Sequence, residues 1–380
     1  MVAATSRLSV IVSRPLHMTA LASIALAASA AMPAQALTFN FNFSNVTGPN
    51  ASNAIAGYQQ AGQIWSNLLS DNITVNIAAG FNQLAPGVIA QAGSESVGAF
   101  YTDVRTSLTA DVMSLDDGVA VVNLPVGTPG TFNVGTQTNP VIRTLNGLSF
   151  ITNNAFTGAR FIDNNQTGNN LVLDVNRANA KALGLLSPND ANNDAAITFS
   201  SSLNFDFDRS NGIASNAYDF VGVAVHEIGH ALGFVSGVDT VDIFSEPDGP
   251  DAPINLDNSR VFSVLDLYRY SAESIAAGGE VLDLAYGGTP FFSIDGATNM
   301  GPFSTGAFNG DGRQASHWKD NLGLGIMDPT LGFGEFATIT NRDLRAFDVI
   351  GYNLAAVPEP TSLGLLGLAA LATLRRRRIA

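Results

Sequence analysis

Apolar and polar residues alternate along Leu37-Thr38-Phe39-Asn40-Phe41-Asn42-Phe43, which predicts a strand within residues 37–50. The period then changes. Ile55, Tyr58, Ile64, Trp65 and Leu68 recur at helical spacing and predict a helix over 53–69 with those side chains on one face. Alternation returns over 72–79 as a second strand. A short strand is expected within 84–97 and a helix over 98–112. Residues 117–170 are rich in Asn, Thr and Gly and read as an irregular β region, 174–186 as weakly helical and 196–207 as a strand. An apolar segment beginning after Asn216 or Asp219, either of which can cap a helix, runs to Leu232, where Gly233 can end it in the left-handed conformation. Residues 239–260 carry many Asp, Pro and Asn and read as a loop. Order is expected again over 261–270, as a short strand at 289–294 and as a final helix at 341–350. No internal repeat is visible. This mixture predicts an α+β fold with a mixed twisted sheet.

The two ends read differently from the middle. Residues 1–36 combine Arg7 and Arg14, an apolar run from Met18 to Ala31, and Ala34-Gln35-Ala36 as a cleavage site, which predicts a secretory signal peptide. The run is short for a span, for which about 20 residues are needed. At the other end, Val357-Pro358-Glu359-Pro360 precedes an apolar run to Leu374 and the cluster Arg375 to Arg378. Residues 357–380 thus resemble the PEP-CTERM sorting signal of Gram-negative bacteria. That resemblance implies exosortase-type sorting machinery as a partner, transient membrane anchoring through the tail, and a destination at the envelope, cell surface or extracellular matrix. The arginines belong on the cytoplasmic side by the positive-inside rule.

Between these signals the chain holds 12 of the 18 basic and 31 of the 32 acidic residues, a net charge of −19. Such a charge argues against nucleic acid and anionic membrane as partners. There are no cysteines, so no disulfide supports the exported fold and no cysteine-switch latency is available. Residues 37–356 are read as one domain, divided at 235/236.

The predicted helix ending at Leu232 contains His226-Glu227-Ile228-Gly229-His230-Ala231-Leu232-Gly233, an HExxHxxG run. Residues i and i+4 share a helix face, so His226 and His230 can reach one metal ion, and Glu227 stands beside the first ligand, placed to polarise a metal-bound water as general base. A catalytic zinc ion takes three protein ligands and leaves one position open. Only four histidines occur in the chain, and His17 leaves with the signal peptide. His317, in Ser316-His317-Trp318, is the remaining histidine. Asp239, Asp242 and Glu246 are the competing third ligands, Asp239 first among them because it lies just past the glycine turn.

These patches resemble metzincin zinc peptidases. In the usual metzincin pattern the third histidine comes three residues after the glycine, where this chain has Ser236. The histidine-tryptophan pair and the following Gly325-Ile326-Met327-Asp328-Pro329 are similar instead to the leishmanolysin type, whose third ligand lies beyond a long insertion. The resemblance implies His226, His230 and His317 as Zn2+ ligands, Glu227 as general base and Met327 as a methionine turn beneath the metal. It also implies a zincin fold: an N-terminal subdomain (37–235) ending in the active-site helix and a more irregular C-terminal subdomain (236–356). The absence of cysteines departs from leishmanolysins, so their C-terminal architecture need not carry over.

The function expected is an exported zinc endopeptidase acting on protein or peptide substrates, with the strand at 196–207 aligning the peptide by strand addition if it edges the cleft. Tyr268, Tyr270 and Tyr352 are the candidates for stabilising the oxyanion. The alternative is a surface or matrix structural or binding protein with a non-catalytic metal site. Ca2+ is a lesser cofactor expectation, through Asp190, Asn192, Asn193 and Asp194 or through Asn309-Gly310-Asp311. The stretch from Asp206 to Ala217 begins like an EF-hand loop but has glycine at the seventh position and no glutamate at the twelfth.

Overall fold

A computed structural model describes residues 37–124, 172–244, 260–277 and 282–355. Its first half runs β1 (Thr38–Val46), α1 (Ala51–Leu68), β2 (Thr74–Asn82), β3 (Ala90–Ser94), β4 (Ser96–Phe100), α2 (Tyr101–Ala110), α3 (Leu115–Asn123), β5 (Val172–Asn176), α4 (Arg177–Ala182) and β6 (Ala195–Ser200). The second half runs β7 (Phe205–Asp206), β8 (Tyr218–Asp219), α5 (Phe220–Leu232), α6 (Val238–Phe244), β9 (Arg269–Tyr270), α7 (Ala272–Ala277), β10 (Phe291–Phe292), β11 (Gly301–Pro302) and α8 (Asn341–Val349).

The main sheet has the order β1-β2-β6-β3. β1, β2 and β6 are parallel, and β3 closes the sheet antiparallel to β6. Alternation in β1 puts Phe39, Phe41 and Phe43 on one face, their rings stacked at 5.8 and 5.5 Å, where they meet α1. Tyr58 of α1 donates its hydroxyl proton to the carbonyls of Gly80 and Ile197, tying the helix to two strands at 3.0 and 2.9 Å. α5 lies beside α1: the Trp65 indole donates to the Val225 carbonyl at 2.9 Å, and Phe220 stacks on Phe199 of β6 at 4.1 Å. The helix of the HExxH motif is therefore held against both the sheet and a neighbouring helix.

The buried face of α1 is Ala54, Gly57, Tyr58, Ala61, Gly62 and Trp65, while Ile55, Ile64 and Leu68 are only half-buried. The helix turns its smallest residues inward because the space is already filled by Phe220 and Phe41. A Cβ on Gly57 would stand 2.3 Å from the Phe220 ring.

Several other expectations are corrected. Residues 115–123 form α3, nucleated by a capping box in which Ser114 and Asp117 exchange hydrogen bonds, so the start of the expected irregular β region is helical. The rest of the expected β region, 125–171, lies outside the described residues. The stretch at 174–186 begins as β5, because Leu173 and Val175 bury one face against β4 before α4 starts. Residues 238–244 are helical rather than loop; Val238 and Val241 enter the core, and Asp239 and Asp242, each following one of them, tie down other loops. The strand at 196–207 is split into β6 and β7, and β6 is interior, with β3 at the sheet edge.

Without cysteines, the irregular second half is held by buried carboxylates. Asp266 accepts from Ser236 Oγ and from the backbone of Gly237 and Ser263. Asp242 accepts from the backbone of Phe308 and Asn309, both at 2.8 Å. Each carboxylate closes a loop by accepting several hydrogen bonds at once, and charge-assisted bonds are about twice as strong as neutral ones.

Candidate metal centre

Helix α5 starts at a buried N-cap. Asp219 accepts from the Gly222 backbone at 2.9 Å and pairs with Arg209 at 2.9 Å. It ends in a Schellman turn: Gly233, at φ +118°, donates to His230, and Phe234 donates back to Gly229. This turn serves the site directly, since the Phe234 carbonyl accepts the Nδ1 proton of His230 at 2.7 Å.

The other two imidazoles are held in the same way. His226 Nδ1 donates to the Ile326 carbonyl at 2.7 Å and His317 Nδ1 to the Gln314 carbonyl at 3.2 Å. A carbonyl only accepts, so the proton sits on Nδ1 in each ring and every Nε2 carries a bare lone pair. Those Nε2 atoms converge: His230 to His226 at 3.1 Å and His230 to His317 at 3.1 Å. Burial depresses all three imidazole pKa values, that of His230 to about 3, which keeps the rings neutral. Three lone pairs facing one another repel unless a cation lies among them. Tetrahedral zinc–nitrogen bonds of about 2.0–2.1 Å place nitrogen pairs roughly 3.3 Å apart. The donor set and its spacing fit a zinc ion.

Glu227 is 7% exposed, and among the described residues nothing hydrogen-bonds its carboxylate. Burial pushes its pKa up to about 8. It lines, with His226, an open cleft of about 810 Å³. One wall of the cleft is Val88, Ile89 and the start of β3; the other is the segment from Asp328 through Phe336 to Thr340.

The competing ligands are engaged elsewhere. Asp239 accepts from the Ala315 backbone at 2.5 Å and from both the backbone and hydroxyl of Ser316, so it braces the segment that carries His317. Asp242 closes the 308–309 loop, and Glu246 lies outside the described residues. Ser236, at the position of the usual third histidine, is engaged as well: its hydroxyl donates to Asp266 at 2.5 Å and its backbone to Ser316 Oγ at 2.8 Å. Met327 is fully buried beneath α5, where a Cβ on Gly229 would meet its sulfur at 2.5 Å. Tyr268 and Tyr352 are buried and donate to the carbonyls of Val349 and Leu232, away from the cleft. Tyr270 is buried in β9 and does not line the cleft; Tyr218, which sequence reasoning passed over, does.

The calcium candidates are occupied by the protein's own cations. Asp194 pairs with Lys181 at 2.6 Å and Asp190 with Arg177, while Asp311 pairs with Lys319 at 2.8 Å.

Residues 356–378 match the PEP-CTERM protein-sorting motif. This tail lies outside the described residues; it marks an exported protein, handled by exosortase sorting machinery and delivered to the envelope or surface of a Gram-negative cell. No curated protein and no solved structure matches the chain. Among the described residues no helix is long and apolar enough to cross a membrane.

Proposed function

We propose that this exported protein is a metzincin-like zinc endopeptidase. The observation that carries the reading is the meeting of three neutral Nε2 lone pairs beside an unpaired, buried carboxylate that faces an open cleft. His226, His230 and His317 would hold the zinc ion, with Met327 packed under them. When bound, zinc supplies Lewis acidity towards a carbonyl oxygen and lowers the pKa of water towards about 7.

The residues of the chain do the rest. Glu227 takes the proton of the attacking water and returns it to the leaving amine. Its apolar surroundings make the carboxylate a stronger base than a solvated glutamate, and a neighbouring dication favours its ionised form. The three backbone carbonyls on the Nδ1 protons fix the ring orientations in advance. Among the described residues β3 is the edge of the sheet beside the cleft, and its outer backbone groups would serve an extended peptide, the task first expected of the strand at 196–207.

The test is a pair of variants assayed for zinc content and casein hydrolysis. Glu227→Ala is expected to keep stoichiometric zinc and lose cleavage; full activity in that variant sinks the mechanism. His317→Ala is expected to weaken zinc binding. A wild-type protein that binds zinc tightly and hydrolyses nothing leaves a structural metal site instead.

A further inference from the structure

Asp343, on the first turn of α8, is fully buried and touches none of the three histidines. Five donors converge on its two oxygens. Oδ1 accepts from the Trp318 indole at 2.8 Å and the Met327 backbone at 3.4 Å. Oδ2 accepts from the Ile326 backbone at 2.9 Å and from the backbone and hydroxyl of Thr340 at 2.7 and 3.0 Å. The approach is close enough that Gly325 must lack a side chain, since a Cβ there would lie 2.1 Å from Oδ2.

These partners are the two routes by which the second half of the chain reaches the metal. Ile326 supplies the carbonyl that orients His226, and Trp318 follows His317 directly. The Trp318 backbone also donates to the Met327 carbonyl at 2.9 Å, so the segment of His317 and the methionine turn are joined directly as well as through the Asp343 carboxylate. A helix N-terminus adds its own donors and a favourable dipole for the negative charge.

We infer that Asp343 is the positioning residue that sets His226 and His317 in register across the split ligand set. One carboxylate fixes the backbone behind both rings, so its loss loosens two ligands that belong to distant parts of the chain. This rests on the zinc reading above. An uncharged amide in its place keeps one acceptor but turns an NH2 group towards N–H donors, which breaks the junction without opening a cavity.

The experiment compares the full mature protein with Asp343→Asn and with Val75→Ala, a core truncation in β2 chosen to lower stability away from the ligands. Zinc affinity is measured by chelator competition, and ligand geometry by the visible absorption of the Co2+-substituted protein. Asp343→Asn is expected to bind zinc about tenfold to 100-fold more weakly, the usual range for residues that support ligands, and to shift the Co2+ bands. Val75→Ala is expected to unfold earlier with both readouts unchanged. Should Asp343→Asn not fold, Trp318→Phe removes the indole donor together with part of a buried ring, and is expected to give a smaller loss of affinity and a band shift in the same direction. Wild-type affinity and spectrum in the soluble variants overturn the inference. A wild-type protein that takes up no zinc overturns the metal reading itself, a distinct result.

Discussion

Gly57→Ala tests whether α1 and α5 are seated as closely as described. Alanine in a helix interior is normally favoured over glycine by about 0.5–1 kcal/mol, so the default expectation is a more stable protein. Here the new methyl group would stand 2.3 and 2.6 Å from two carbons of the Phe220 ring. That ring has nowhere to go, being packed by Phe199 at 4.1 Å, Phe207 at 4.8 Å, Phe205 at 5.4 Å and Tyr58 at 5.6 Å. Overpacking of this kind costs about 1–3 kcal/mol. Net of helix propensity, the variant should lose about 1 kcal/mol, and up to roughly 2.5 kcal/mol if the helices cannot part. Urea unfolding followed by circular dichroism gives the number. In a double-mutant cycle, Phe220→Leu should remove most of the penalty, because the smaller side chain vacates the space. Gly57→Ala as stable as wild type, or more so, refutes the interhelical geometry and with it the placement of α5.

Two further outcomes follow from burial and from the histidine cluster. Asp71 and Asp348 have pKa values raised to about 7 and Asp111 to about 6, burial being the main cause. The folded state therefore holds these protons more tightly than the unfolded chain, and their contribution to stability, full below about pH 4, is lost as pH rises through 6 to 7. The urea midpoint should fall between pH 5 and pH 8, and Asp71→Asn should flatten that slope; an unchanged slope refutes the assignment. Chelation should lower the thermal midpoint, and each tenfold excess of free zinc over its Kd should restore about 1.4 kcal/mol; a midpoint indifferent to both argues that no ion belongs among the histidines.

The helix that carries His226 and His230 was legible because its information is local: the i, i+4 spacing, an Asp cap and a terminal Gly are all read within fifteen residues or so. His317 stood out as the one further histidine outside the signal peptide, and the leishmanolysin-type resemblance implied it as third ligand while Asp239, Asp242 and Glu246 stayed open. Its supports were not. Asp239, Asp266 and Asp343 look in sequence like any other acidic residue, and only the folded backbone shows which amides each one gathers. The same limit explains Asp239 as a proposed ligand, since its position past the glycine turn does place it near His317 but with both oxygens already engaged. Strand order was also out of reach: β6 has the length and alternation of an edge strand, and only pairing with β2 and β3 reveals it as interior.

The distance between the parts of the proposed metal site also has a consequence for timing. Two of the proposed ligands lie on α5, the third comes 87 residues after His230, and Asp343 follows on α8, shortly before the sorting tail. A chain threading through an export channel from its N-terminus presents the HExxH helix long before its partners emerge. Until nearly the whole domain has crossed, there is a bidentate fragment but no finished centre. On the proposed reading, hydrolytic competence would then arrive last, and a half-delivered or truncated molecule would be inert towards the machinery delivering it.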